Sequence, residues 1–126
     1  MTTLSAPPTR SSTGWHDVVS TRALIPDRGV AVLVAGRQVA VFLLQDGSLH
    51  ALDNHEPISG ANVLSRGIVG DRGGVPVVAS PIYKQCYELA TGRCLDDADH
   101  SVEVHEVALV DDRIHVRLRE ALAATG

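Results

Sequence analysis

No apolar run in this sequence approaches the ~20 residues that a helix needs to cross a bilayer, so a helical membrane span is excluded. No segment of ordinary helical length carries amphipathic spacing, so a helical fold has no support either. The two cysteines and six histidines include no Cys-x-x-Cys and no His-Glu-x-x-His, the spacings that would point to a metal site. Gly-x-Ser-x-Gly is also missing, which removes the strand-to-helix nucleophile turn. The formal net charge of −4 argues against a nucleic-acid or anionic-membrane surface. The first 14 residues are rich in Thr, Ser and Pro and lack the hydrophobic core of a secretory signal. They read as a disordered tail, and the chain as a cytoplasmic protein whose thiols stay reduced.

Aromatics are scarce, with one Trp, one Phe and two Tyr in 126 residues. Valine is plentiful, and it suits half-buried strands. Trp15 to Val19 opens a first strand, with Trp15 anchoring one end of a barrel. Pro26-Asp27-Arg28-Gly29 has turn chemistry. Val30 to Ala35 is nearly all apolar and β-branched, which predicts a buried strand. Gly36-Arg37 fits a tight turn, Gln38 to Leu44 runs back, and Asp46-Gly47 is the strongest hairpin signal in the chain. Ser48 to Leu52 completes a meander.

Asn54 to Asp71 breaks this pattern: it has three glycines and no sustained alternation, and predicts an ordered loop with a short strand near Ile68-Val69. After the turn Arg72-Gly73-Gly74, Val75 to Ala79 is apolar and Tyr87 to Ala90 extended. Val102 to Val110 and Ile114 to Leu118 form a last hairpin, with Ile114, Val116 and Leu118 facing in. The apolar phase shift from Val102/Val104 to Val107/Leu109 predicts a bulge near His105-Glu106. Glu120 to Ala124 reads as a weak helical or frayed tail. The whole is all-β, stacked antiparallel sheets or a small barrel with little helix, over one domain at 15–118 flanked by tails at 1–14 and 119–126.

Among candidate chemistries, the histidines point to solvated or interface roles, and Gly70-Asp71-Arg72-Gly73-Gly74 precedes a strand rather than a helix, so it is a turn and not a phosphate cradle. A turn at Ala90–Arg93 places Leu89 opposite Cys94 and sends Cys86 and Cys94 to opposite faces, which predicts no disulfide. Glu56, Glu88 and Asp96-Asp97-Ala98-Asp99 supply carboxylates that nothing in the sequence pairs.

The stretch Ser80-Pro81-Ile82-Tyr83-Lys84-Gln85-Cys86-Tyr87, closing on Thr91-Gly92, resembles the second metal-binding loop of Rieske iron–sulfur domains. That loop reads Cys-Pro-x-His, then an aromatic, then Thr-Gly. Here Ser80 stands at the cysteine place and Tyr83 at the histidine place, with Pro81, Tyr87 and Thr91-Gly92 kept. The first Rieske loop, Cys-x-His, aligns on Gly60-Ala61-x-x-Leu64, which puts Asn54 at its cysteine and Glu56 at its histidine, with His55 between them. A Rieske centre needs two thiolates on one iron and two imidazoles on the other. These four residues supply neither, so the resemblance is to the frame of the site without its ligands.

That combination resembles the small subunit of assimilatory NAD(P)H-dependent nitrite reductase. It is carried by Asp53-Asn54-x-x-Pro57, by Ser59 through Asp71, by Val77-Val78-Ala79-Ser80-Pro81-x-Tyr83-Lys84-Gln85, and by Thr91-Gly92-x-Cys94-Leu95, and covers roughly Trp15 to Leu118. Glu56 and Ile58 depart from the aspartate and aromatic usual in the family. The resemblance implies a cofactor-free, non-catalytic subunit, structural or regulatory, beside a large subunit carrying FAD, [4Fe–4S] and sirohaem that reduces nitrite to ammonium; the choice of NADH or NADPH belongs to that partner. Arg66, Arg72 and Lys84, on or beside the two loops, read as the polar rim of a docking surface with His55, Pro57, Ile58, Ile82 and Tyr83 as its less polar centre. A Rieske-type [2Fe–2S] electron-transfer ferredoxin, and a β-domain adaptor of another oxidoreductase, stand as alternatives.

Overall fold

The structure, a computed structural model, describes residues 14–119; the expected tails at 1–13 and 120–126 lie outside the described residues. Eleven strands follow in order: β1 (Trp15–Ser20), β2 (Gly29–Val34), β3 (Arg37–Leu43), β4 (Leu49–Asp53), β5 (His55–Glu56), β6 (Ala61–Asn62), β7 (Ile68–Arg72), β8 (Val75–Ala79), β9 (Cys86–Glu88), β10 (Val104–Val110) and β11 (Arg113–Arg117). Two 3-10 turns, Thr21–Ala23 and Leu64–Arg66, are the only helical elements among the described residues. The described chain is all-β, as its composition suggests.

Six strands form one antiparallel sheet in the order β1-β11-β10-β4-β3-β2, and its outer strands β1 and β2 return into contact, so the sheet curls into a nearly closed barrel. A three-stranded sheet, β9-β8-β7, lies against it, and β5-β6 is a small separate hairpin. β3 divides two cores because it is apolar at every central position. Its Val39 and Val41 turn into the barrel with Val34, Ala51, Ile114 and Val116. Ala40 and Phe42 face the other way and meet Leu52, Leu64, Val78, Tyr87 and Leu89 beneath the small sheet. Each Val, Leu, Ile or Phe among them contributes about 1.5–3 kcal/mol by leaving water.

Turn chemistry places the strands. The β2–β3 turn is Ala35-Gly36, one residue earlier than the sequence suggests, and both residues have positive φ (50° and 83°) as a tight hairpin turn of this hand requires. β2 is half-buried and alternating rather than buried throughout: Leu33 points outward, 68% exposed. Gly67 needs to be glycine for space, since a Cβ there would lie 2.4 Å from the Ala79 carbonyl oxygen.

Two further expectations need correction. The phase shift in β10 is not a bulge at His105-Glu106. Val104 and His105 pair with β4, and Glu106 to Val110 pair with β11, so the strand hands over between partners there. The irregular step lies instead on the β1–β11 ladder, where Asp17 faces His115 and Val19 faces Ile114, leaving Val18 as the extra residue. Second, Cys94 faces Tyr87 rather than Leu89. The register moves by two residues, so alternation still sends Cys86 and Cys94 to opposite faces, and both are free thiols.

Candidate functional site at the paired loops

Two loops carry the positions that the sequence singles out. The first, 54–64, is built on buried polar side chains. Asn54, 2% exposed, uses its whole amide: Nδ2 donates to Gln38 Oε1 at 3.0 Å and to the Asn62 carbonyl at 3.1 Å, and Oδ1 accepts from Ser65 N at 2.7 Å. Glu56, fully buried, folds its carboxylate back over its own turn. Oε2 accepts from Ile58 N and Oε1 from Ser59 N, both at 2.9 Å, while the Glu56 carbonyl takes Gly60 N at 2.8 Å. Tyr87, also fully buried, donates its phenol to Glu56 Oε2 from below. Burial alone would raise the Glu56 pKa; the hydrogen bonds from Ser59, Tyr87 and Ile58 outweigh it and hold the carboxyl below its ordinary value. Burial and the bond to Glu56 push the Tyr87 phenol well above its usual range, so it stays protonated as a donor.

The second loop, Ser80 to Gln85, is held by its backbone. Ser80 N donates to the Gln85 carbonyl at 2.8 Å, Lys84 N to the Ser80 carbonyl at 2.9 Å, and Ile82 N to Ser80 Oγ at 3.2 Å. Closing so short a loop forces Lys84 into the left-handed region at φ 65°. Ser80 is 1% exposed, but Ile82 is 44% and Tyr83 57% exposed, so the loop presents its middle to solvent.

Asp53, just before the first loop, ties it to the barrel. It accepts from Arg37 Nε at 3.0 Å and Nη2 at 2.9 Å, and from His105 Nε2 at 2.7 Å. His105 Nδ1 accepts Arg119 N at 2.9 Å, so the ring proton sits on Nε2 and is donated to Asp53. Burial raises the Asp53 pKa, but His105 and Arg37 bring it below the ordinary value.

The structure places the predicted interface residues unevenly. His55 is exposed, Pro57 and Ile58 are half-buried, and Ile58 packs onto the lower core. Ile82, Tyr83 and Lys84 are exposed on the second loop. Arg66 lines a different feature, a cleft of about 430 Å³ between Asp27–Gly29 and Ser65–Val69 whose walls include none of the others, Arg72 among them. Sequence reasoning missed the Glu56–Tyr87 contact and the Arg37–Asp53–His105 group. A glutamate two and three residues before the N–H groups of Ile58 and Ser59 was a readable capping signal; Tyr87, 31 residues downstream, was not local enough to be seen.

This geometry can be set beside known proteins. The model of the Rieske-like [2Fe-2S] domain matches residues 14–117. The small subunit of nitrite reductase (NADH) from Escherichia coli (strain K12) is 33% identical over 104 residues, covering 82% of this chain and 96% of that one. The chain belongs to the Rieske-like family of nitrite reductase small subunits. A crystal structure of an NADH-dependent nitrite reductase small subunit from Mycobacterium tuberculosis is similar at 52% identity and a TM-score of 0.78, over 81% of this chain and 92% of that one. A nitrite reductase [NAD(P)H] large subunit from Klebsiella oxytoca is 38% identical over 116 residues, which is 92% of this chain but 12% of that protein.

Membership of this family raises the question of a cluster, and the residues present do not fit one. At the four places that the resemblance assigns to cluster ligands, Asn54 and Glu56 have every polar side-chain atom in hydrogen bonds within the protein, Ser80 Oγ caps its own loop, and Tyr83 points into solvent. None is a thiolate or an imidazole. Among the described residues, no group of three or more His, Cys, Asp or Glu side chains gathers as a metal site would require, and no helix is long and apolar enough to cross a membrane.

Proposed function

We propose that this chain is the small subunit of an assimilatory nitrite reductase, acting in the cytoplasm as a cofactor-free, non-catalytic docking and support element for a large subunit that holds FAD, [4Fe–4S] and sirohaem and reduces nitrite to ammonium with NAD(P)H. The observation that carries this reading is the state of the four ligand places. Buried, fully hydrogen-bonded Asn54 and Glu56 and the capping Ser80 stabilise two loops without metal, and the exposed middle of the second loop offers apolar contact instead of an electron-transfer edge. The Klebsiella oxytoca likeness favours the same partner, because there a domain of this kind is part of a chain named as the large subunit.

The surface assigned to docking comprises His55, Pro57 and Ile58 from the first loop and Ile82, Tyr83 and Lys84 from the second, with Arg66 on the flank. Tyr83 suits its centre: a large, rigid ring with a polar tip loses little side-chain freedom on contact. The net charge of −4 gives no reason to invoke nucleic acid or an anionic membrane as a partner.

The experiment is purification of the tagged full chain from its host grown on nitrite as nitrogen source. Co-purification of a large polypeptide with flavin and sirohaem bands, active in nitrite-dependent NAD(P)H oxidation, is expected. A chain that emerges alone, or with an unrelated oxidoreductase, would contradict the assignment.

A further inference from the structure

Each of the two loops is closed by its own hydrogen bonds, and very little joins them. Among the described residues, the one polar contact between segments 54–64 and 80–88 is the bond from the Tyr87 phenol to Glu56 Oε2. In a cluster-bearing Rieske site, two metals ligated from both loops would fix their relative position. We propose that Glu56 and Tyr87 are positioning residues that hold the two loops in register, in the mechanical place of a cluster that the ligand positions do not fit.

Three features of the contact carry this. First, three donors converge on one buried carboxylate: Ile58 N and Ser59 N from the first loop, and the Tyr87 phenol from the strand that leaves the second. A buried carboxylate needs such donors, and a hydrogen bond to a charged acceptor is roughly twice as strong as a neutral one. Second, the acceptor count is specific. A carboxylate has two acceptor oxygens and no proton to donate, whereas a glutamine amide has one oxygen and presents an N–H₂ to the donors opposite. Third, Glu56 and Tyr87 are both 0% exposed, so neither can touch a partner. Any effect they have on docking must pass through the shape of the loops.

The consequence for docking rests on the assignment above of a large-subunit partner. A surface assembled from two loops binds well only when both are held in the bound arrangement beforehand; otherwise association must also order them.

The test uses the full chain as wild type, Tyr87→Phe, Glu56→Gln and the double variant. Tyr87→Phe keeps the ring in the core and removes the phenol oxygen, with its bond to Glu56 and its weaker contact with Cys94. Amide hydrogen exchange is followed residue by residue, and affinity for the isolated large subunit is measured by titration. In Tyr87→Phe, exchange at 58–62 and 82–85 is expected to speed about tenfold while the amides of β3 keep their protection, as loss of one charged hydrogen bond confined to those loops requires. Partner affinity is expected to fall about three- to tenfold, and the double variant to lose less than the two singles together, because both changes break one contact. Exchange that rises evenly over the whole domain would reduce the pair to ordinary core packing and overturn the proposal, as would loosened loops with affinity unchanged. If the wild type itself does not bind the large subunit, the functional assignment fails, and the exchange pattern alone then decides the clamp.

Discussion

The two loops linked by the Tyr87–Glu56 bond solve the same problem in opposite ways. The first is held from inside: Asn54 and Glu56 are buried, and their side chains satisfy backbone groups that a loop would otherwise leave unpaired. The second is held by its own backbone around Ser80 and turns its side chains outward. Mutational cost and binding contribution are therefore expected to separate, with the first loop carrying stability and the second carrying contact.

Asn54→Ala should give the largest effect. It removes three hydrogen bonds, takes the side-chain acceptor away from the half-buried Ser65 N–H, and is expected to cost about 3 kcal/mol in chemical denaturation. A loss below about 1 kcal/mol would mean that the first loop is held mainly by apolar packing under Leu64 and Ile58.

Acid should act next, and with a defined sign. The Glu56 carboxyl is held below its ordinary value of 4.5 in the folded chain, by hydrogen bonds that outweigh burial. Its contribution to stability is thus full above that ordinary value and is lost as pH falls through the lower folded-state pKa. Asp53 works in the same direction, through His105 and Arg37. Stability is expected to drop with acidification below about pH 4.5, and Glu56→Gln to flatten that slope while lowering the plateau above it. An unchanged slope in Glu56→Gln would show that its carboxylate is not stabilised by folding.

Smaller effects sharpen the contrast from the other side. Ile82→Ala and Tyr83→Ala sit on exposed positions and should move stability by no more than about 0.5 kcal/mol. Anaerobic incubation of the full chain with iron and sulfide should leave no bound cluster and no visible Rieske spectrum, with wild type and Ser80→Ala alike. Stoichiometric iron and sulfide that disappear in Ser80→Ala would contradict the reading of the ligand places.

Much of the fold was legible because it rests on local signals. Asp46-Gly47 and Gly73-Gly74 mark hairpins by backbone conformation alone, and the run Val39 to Leu43 marks a strand buried on both faces. The family was legible too, since Pro81, Tyr87 and Thr91-Gly92 keep the frame of a Rieske loop and the Rieske-like family model matches residues 14–117. What the sequence did not disclose depends on distance along the chain. The handover of β10 from β4 to β11 imitates a bulge in one-dimensional phase, because each half of the strand answers to a different neighbour. The register of Cys94 against Tyr87 is set by Gly92 N on the Glu88 carbonyl and Leu95 N on the Cys86 carbonyl, which no local spacing predicts. Glu56 and Tyr87 find each other only once the small sheet is packed beneath the first loop.

The measurement that bears most directly on the docking claim is equilibrium binding of the full chain, as wild type and as the Ile82→Ala/Tyr83→Ala double variant, to the isolated large subunit, with thermal unfolding run in parallel. Truncating two central contact residues is expected to weaken binding at least about tenfold while the unfolding midpoint stays in place. Binding that is unchanged by the double variant would show that the exposed face of the second loop is not where the partner sits.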